Sequence, residues 1–340
     1  MNRRTAIFII GFALTLFVSA VNPATASTLP ERVKVAYVAI MNFAPLYVAI
    51  GRDFMKEQNI EVEMQKVASG TEAMAFLAQG TLDAGGVGIT AATFNAFNKG
   101  FDLRIVASAA LQPQKGGPTI LIVRKDLKDS GRIKSISDLK NMKVAIAGGP
   151  GTTGAYFVAK ALKEVSLTIK DIEIVNLANP DMQLALEKAA VDAALVGPPY
   201  SDQIIAGGKG VLLAEDMAPG AMTTVFMYSG KFMKERPEVA RRFMIALVKG
   251  SRAMQGDRYL DQANLMSYLK YVTSTEGAIR KGKPQVYDPD LKVYIDSIKN
   301  MEEIFRWAGW TNYTTTIPQE KMAAPSFCEQ AVKVLGPFKP

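Results

Sequence analysis

Short apolar runs alternate along this chain with stretches in which apolar positions recur every three or four residues. The runs predict strands at 33–39, 60–66, 82–87, 103–107 and 119–123, then at 143–147, 172–177, 193–196, 211–214 and 223–228. The stretches between them predict helices at 45–58, 71–78, 92–99, 154–163 and 182–189, and Pro237 opens another whose inner face carries Val239, Phe243, Ala246 and Leu247. Strand and helix in alternation argue for an α/β protein built on mainly parallel sheets. Beyond about residue 260 the pattern turns helical and strand-poor, which places Trp307 and Trp310 as caps on a helix-packed core.

Two features of the pattern point to chemistry. The segment 143–162, KVAIAGGPGTTGAYFVAKAL, places Gly149, Gly151 and Gly154 at a strand-to-helix turn, ahead of an apolar stripe at Ala155, Val158, Ala159 and Leu162. The spacing matches G-x-G-x-x-G, a dinucleotide fingerprint, but that motif also wants an acidic residue closing the next strand. Here that strand ends towards Asn176 and Asn179, while Asp171 and Glu173 stand at its start. The unpaired N–H groups of such a turn attract any anion or acceptor oxygen, and Thr152 or Thr153 adds a hydroxyl. In the second feature, Ser69-Gly70-Thr71-Glu72 reads as a capping box, with Ser69 at a helix start.

The two groups of strands resemble each other. Each opens with a strand, a turn bearing Gly, Thr or Ser, and a helix; each later carries a strand after Asp-Ala, at Asp83-Ala84 and Asp192-Ala193. The loops 112–118 and 217–220 look like links out to a second lobe and back. A mature chain of roughly 310 residues also exceeds what one compact core usually organises.

Composition removes several classes of function. The chain of 340 residues contains no histidine and one cysteine, so Ser-His and Cys-His catalysis and an internal disulfide are excluded. Cys328 reads as a small buried residue rather than a nucleophile. No D-x-D-x-D loop suggests a metal, and neither metal nor cofactor is expected. Arg3 and Arg4 precede an apolar stretch and the sequence Ala24-Thr25-Ala26, which predicts a secretory signal peptide at 1–26 and a periplasmic protein. Its removal takes the formal net charge from +8 to +6. The basic residues are scattered, Arg280-Lys281-Gly282-Lys283 being the densest cluster, without the aromatic interleaving that nucleic acid calls for.

Five stretches carry a family resemblance: VKVAYVAIMNFAPLYVAIGRDFMKEQNIEVEM, GTLDAGGVGITAATFNAFNKG, ISDLKNMKVAIAGGPGTTGAYFVAKAL, VDAALVGPPYSDQI and DSIKNMEEIFRWAGW. In order and spacing the chain resembles the periplasmic substrate-binding proteins of ABC importers, in the nitrate, sulfonate, taurine and thiamine-pyrimidine-precursor branch. The resemblance implies a two-lobed, type II periplasmic-binding-protein fold with ligand in the cleft. Lobe 1 would comprise 27–117 and 226–340, and lobe 2 would comprise 118–225. It also implies a candidate pocket. Lobe 1 would contribute Met41, Asn42, Phe43, Ser69, Gly70, Gly88, Ile89, Thr90 and Phe226; lobe 2 would contribute Gly151, Thr152, Thr153, Gly197, Pro199 and Tyr200. A solvent-filled gap is expected beside Thr153.

Many sulfonate and taurine binders have a Trp-Asp-Pro-like segment where this chain has Gly197-Pro198-Pro199-Tyr200, so an acidic partner for a ligand amine is missing. The pocket carries no charge, which suits a sulfonate, an aromatic carboxylate or a pyrimidine better than bare nitrate. The resemblance implies a monomeric binder that closes on its ligand and docks on an inner-membrane ABC permease. The alternatives are a sensor that presents ligand to a receptor, or an enzyme in the same cleft. Pyrimidine-precursor synthases of this branch use a Cys-rich motif and a His, and desulfinases of similar fold use a loop cysteine; this chain has neither arrangement.

Overall fold

The computed structural model describes residues 29–67 and 70–339; the expected signal peptide and Ser69 lie outside the described residues. Ten strands form two sheets. The first uses β1 (Glu31–Tyr37), β2 (Ile60–Lys66), β3 (Ala84–Gly88), β4 (Leu103–Leu111) and β10 (Met222–Ser229), in the order β2-β1-β3-β10-β4. The second uses β5 (Ile120–Arg124), β6 (Lys143–Ile146), β7 (Glu173–Asn176), β8 (Ala193–Val196) and β9 (Gly210–Ala214), in the order β7-β6-β8-β5-β9. Each expected strand is present, with β4 running on to Leu111.

The orders are the same in kind. In the first sheet β10 runs antiparallel to β3 and β4; in the second, β5 runs antiparallel to β8 and β9. In each sheet the opposed strand is the one that has just crossed from the other half, through 112–119 or 215–221. The crossings hold each other. Asp216, at φ 53°, accepts the N–H of Gly117 at 2.7 Å and of Gly116 at 2.9 Å on its two carboxylate oxygens.

The repeated Asp-Ala is structural. Asp83 accepts the N–H of Lys34 at 2.9 Å and faces the Arg236 guanidinium at 3.3 Å. Asp192 accepts the N–H of Lys143 at 2.9 Å and faces Arg124 at 3.4 Å. Each carboxylate ties the strand that precedes β3 or β8 in the sheet to an arginine, a charge-assisted arrangement of the same form in both halves.

Strand alternation serves two faces. In the second sheet Ile122, Ala145, Ala194 and Val196 join Met182, Leu186 and Ile204 in one small core. Their strand neighbours Leu121, Val123, Val144, Ile146 and Leu195 face the large core instead. That large core is continuous between the halves. The Tyr156 ring lies 6.1 Å from Phe305, and Phe305 lies 5.8 Å from Phe94 of the first half. Phe305 sits on helix Ile295–Trp307, which also holds the second half through Tyr156–Asn300 at 2.8 Å and Lys163–Glu303 at 2.6 Å.

Two expectations need correction. The helix expected over 45–58 is two, Ala44–Gly51 and Phe54–Glu57, because Asp53 takes a left-handed conformation (φ 60°) that only a short polar side chain or glycine adopts readily. Trp307 does not cap a core: it is 36% exposed, with the Lys163 ammonium over its ring, since its position on the helix faces outward. Trp310 does pack, 6.0 Å from Phe305.

Asp83→Ala and Asp192→Ala should each lower the unfolding free energy by about 1–3 kcal/mol in urea titrations, because each strips a partner from a strand N–H and an arginine. Cys328 is buried and its S–H donates to Pro325 O at 3.0 Å; burial pushes its thiol up to about 11. Iodoacetamide at neutral pH should therefore leave Cys328 unmodified in the native protein and alkylate it once urea unfolds the chain.

Candidate functional site

The two sheets present strand ends to each other, and a helix starts at each. After β3, Thr90 caps helix Ala91–Asn98: its hydroxyl accepts the Thr93 N–H at 3.3 Å, and the Thr93 hydroxyl accepts the Thr90 N–H at 3.2 Å. After β6, Thr152 caps helix Thr153–Glu164, accepting the Ala155 N–H at 3.3 Å and donating to Gly149 O at 2.9 Å. The hydroxyls of Thr90 and Thr152 are thus engaged locally. The turn before them needs its glycines, since Gly149 and Gly151 have φ of 71° and 74°. At Gly154 an added methyl would stand 3.1 Å from both Ile146 and Leu195, so this glycine serves close packing of helix on sheet.

The tips touch. The Thr153 hydroxyl donates to Ile89 O at 2.8 Å, and the Ala91 N–H donates to Gly151 O at 2.8 Å. The gap expected beside Thr153 is therefore closed at this point. Contact is possible because Gly88 and Gly151 have no side chains: methyls there would stand 2.7 Å from Thr153 Oγ1 and 3.1 Å from Ala91 Cβ. Gly70 lies against Gly88 in the same way, its added methyl 2.9 Å from Gly88 O. Among the described residues, the N–H groups of Ala92, Thr153 and Gly154 have no acceptor. These are first-turn amides of two facing helices, with the partial positive charge of both N-termini behind them.

On the first-lobe side the loop after β1 carries Met41, Asn42 and Phe43. Asn42 Nδ2 donates to Thr224 Oγ1 at 3.4 Å, and the Thr224 hydroxyl donates to Ala110 O at 3.4 Å. Phe43 and Phe226 are both buried with ring centroids 6.1 Å apart, so they form the floor beneath Asn42 rather than an open wall. Met41 packs on the core, and its carbonyl accepts the Tyr287 hydroxyl at 2.7 Å. Burial raises the Tyr287 pKa well above its ordinary value and keeps the group a donor.

In the second half Gly197 faces the first crossing, an added methyl meeting Pro118 O at 3.6 Å and Thr119 Oγ1 at 3.7 Å. Pro199 is the exposed cap of helix Tyr200–Ala206, and Tyr200 packs against the small core beside Ile204. The structure thus brings together Gly70, Gly88, Ile89, Thr90, Gly151, Thr152 and Thr153, and pairs Asn42 with a partner. Gly197, Pro199 and Tyr200 follow β8, which lies parallel to β6 with Leu195 opposite Ile146, so they leave the sheet at the same edge as the glycine turn.

Sequence reading missed Thr223, Thr224 and Gln112, which meet where the first sheet runs into the crossings; Gln112 Nε2 donates to Thr223 Oγ1 at 3.4 Å. Thr224 was within reach, because it shares a strand face with Phe226 two positions on and lies nearer the mouth.

A model of the NMT1-like family matches residues 27–269. The chain belongs to that family. A putative aliphatic sulfonates-binding protein of Escherichia coli (strain K12) is 30% identical over 145 residues, 42% of each chain. The taurine-binding periplasmic protein of the same organism is 26% identical over 193 residues, 56% of each. The matched stretches thus span about half the length of these relatives. In fold, this NMT1-like chain resembles the periplasmic nitrate-binding protein NrtA from Synechocystis PCC 6803, with a TM-score of 0.71 and 15% identity over 90% of this chain and 89% of that one. The desulfurization enzyme DSZB has the fold too, at a TM-score of 0.64 and 13% identity, covering 90% of this chain and 100% of that one. Two five-stranded sheets joined by paired crossings are the two-lobed substrate-binding-protein fold.

Gly88→Ala should force the touching tips apart. Solution scattering should show a larger radius of gyration than for the parent, and stability should fall by about 1–3 kcal/mol, the usual cost of overpacking.

Proposed function

We propose that this protein is an exported solute-binding protein that takes a small organic anion or polar heterocycle, of the sulfonate, aromatic carboxylate or pyrimidine class, between its lobes and hands it to an ABC permease. The observation that carries this reading is the meeting of two helix N-termini from different sheets, whose Ala92, Thr153 and Gly154 amides have no acceptor among the described residues. Such amides hold acceptor oxygens without a formal counter-charge. The family match and the named sulfonate- and taurine-binding relatives support the same reading.

In this scheme residues 27–117 and 226–340 form lobe 1 and 118–225 form lobe 2, with Met222–Val225 moved to lobe 1 because their strand pairs with β3 and β4. The touching tips then describe a closed form. Opening breaks Thr153–Ile89 and Ala91–Gly151 and flexes the two crossings that Asp216 joins. A ligand that bridges the lobes restores closure. Driving such an equilibrium from 1:99 to 99:1 takes about 5.5 kcal/mol of differential binding by the ligand, while the two direct tip contacts bear on the ratio from which it starts. Binding rather than catalysis is the function proposed, although DSZB shares the fold. The only cysteine is Cys328, buried in the C-terminal helix with its thiol held protonated, and the chain has no histidine to serve as a base.

A thermal-shift screen of alkanesulfonates, aromatic carboxylates, pyrimidines and nitrate tests this. A cognate ligand at 100 times its Kd should stabilise the protein by about 2.7 kcal/mol. Thr153→Ala and Asn42→Ala should each weaken that ligand by about fivefold or more in calorimetric titration. Unchanged affinity in both variants removes the site, and no stabilisation by any of the four classes removes the ligand assignment.

A further inference from the structure

A cavity of about 460 Å³ lies between the 254–260 turn and the 284–287 segment, lined by none of the helix-tip residues. Its volume is in the range of small-molecule sites. Met254, Leu260 and the rings of Tyr259 and Tyr287 make its apolar walls, with the two rings stacked at 5.9 Å. Its polar side is one-signed. Asp257 is the one charged residue that lines it, stands exposed, and makes no ion pair among the described residues. Gln285 also lines it, and its Oε1 is buried without any donor. A buried acceptor left bare is costly, and it gains from any donor that lets the amide turn towards the cavity.

The cavity adjoins working parts. Val286 pairs with Leu111, at 2.8 and 3.1 Å through both backbone bonds, one residue before the first crossing begins at Gln112. The hydroxyl of Tyr287 holds Met41 O in the loop after β1.

We propose that this cavity is a second binding site, for an organic cation with an aromatic or similarly flat apolar body and an ammonium group. The ring lies along the edges of the stacked Tyr259–Tyr287 pair, since edge contact is a favoured geometry between aromatic rings. The ammonium donates to the Asp257 carboxylate and to the Gln285 amide oxygen, which suits a group with three donors and no acceptor. The chemistry is the opposite of that at the helix tips, where amides await an acceptor.

2-Phenylethylamine is the probe, read by methyl-¹³C methionine NMR of the full mature chain, with the Met254 signal assigned through Met254→Leu. The Met254 methyl should shift and saturate with 2-phenylethylamine, less with 2-phenylethanol, and not with phenylacetate. Asp257→Asn and Gln285→Leu should each weaken the amine by about fivefold or more, while methionine signals far from the cavity stay in place and report an intact fold. A Met254 signal that does not move, an affinity indifferent to both variants, or a preference for phenylacetate overturns the proposal.

Discussion

Backbone meets backbone at the place where the two halves face, and the organisation of the site follows from that. Gly88 and Gly151 present no side chain, so the Thr153 hydroxyl reaches Ile89 O and the Ala91 amide reaches Gly151 O across the interface. A methyl at Gly88 would collide with the Thr153 hydroxyl, and one at Gly151 would crowd Ala91 and strain a backbone of φ 74°. The same bareness makes the tips suitable for a ligand: the donors are main-chain N–H groups at fixed positions, with helix dipoles behind them. Their placement costs no side-chain entropy on binding.

The frame that carries these tips is a repeated one. Each sheet has the same order and the same opposed fourth strand, and each has an aspartate that ties the strand before β3 or β8 to an arginine. The crossings link the repeats side by side, and Asp216 fastens one to the other with two short bonds. Helix Ile295–Trp307 adds a third connection. Its Phe305 lies against Tyr156 of the second half, and its Asn300 and Glu303 bind Tyr156 and Lys163. The aromatic seam thus joins the halves by buried rings, whereas the tips of the Ala91 and Thr153 helices are joined by two hydrogen bonds. Buried apolar contact resists separation far more than a pair of exchangeable hydrogen bonds does.

A good part of this was legible beforehand, for identifiable reasons. A strand buried on both faces leaves a continuous apolar run, as 193–196 does in β8, and a half-buried edge strand alternates, as Ile60, Val62 and Met64 do between the charged positions of β2. The glycine turn at 148–154 announced itself because left-handed backbone demands glycine. The single long helix expected over 45–58 failed at Asp53, where one residue's φ overrides an unbroken apolar stripe. Trp307 was misplaced because its bulk argued for burial, while its position on the helix faces outward beside Lys163.

The sequence by itself determined the alternation of strand and helix, the duplicated half, the two crossings and the need for glycine at the turns. These depend on periodicity and on backbone sterics, which act between residues close in the chain. Only the tertiary structure decided that Thr153 engages Ile89, that Thr224 rather than Phe226 meets Asn42, and that Tyr200 sides with the small core. Those outcomes join residues many tens of positions apart, and they turn on fractions of a turn in how helices seat against sheets. No local pattern of apolar and polar residues carries that information.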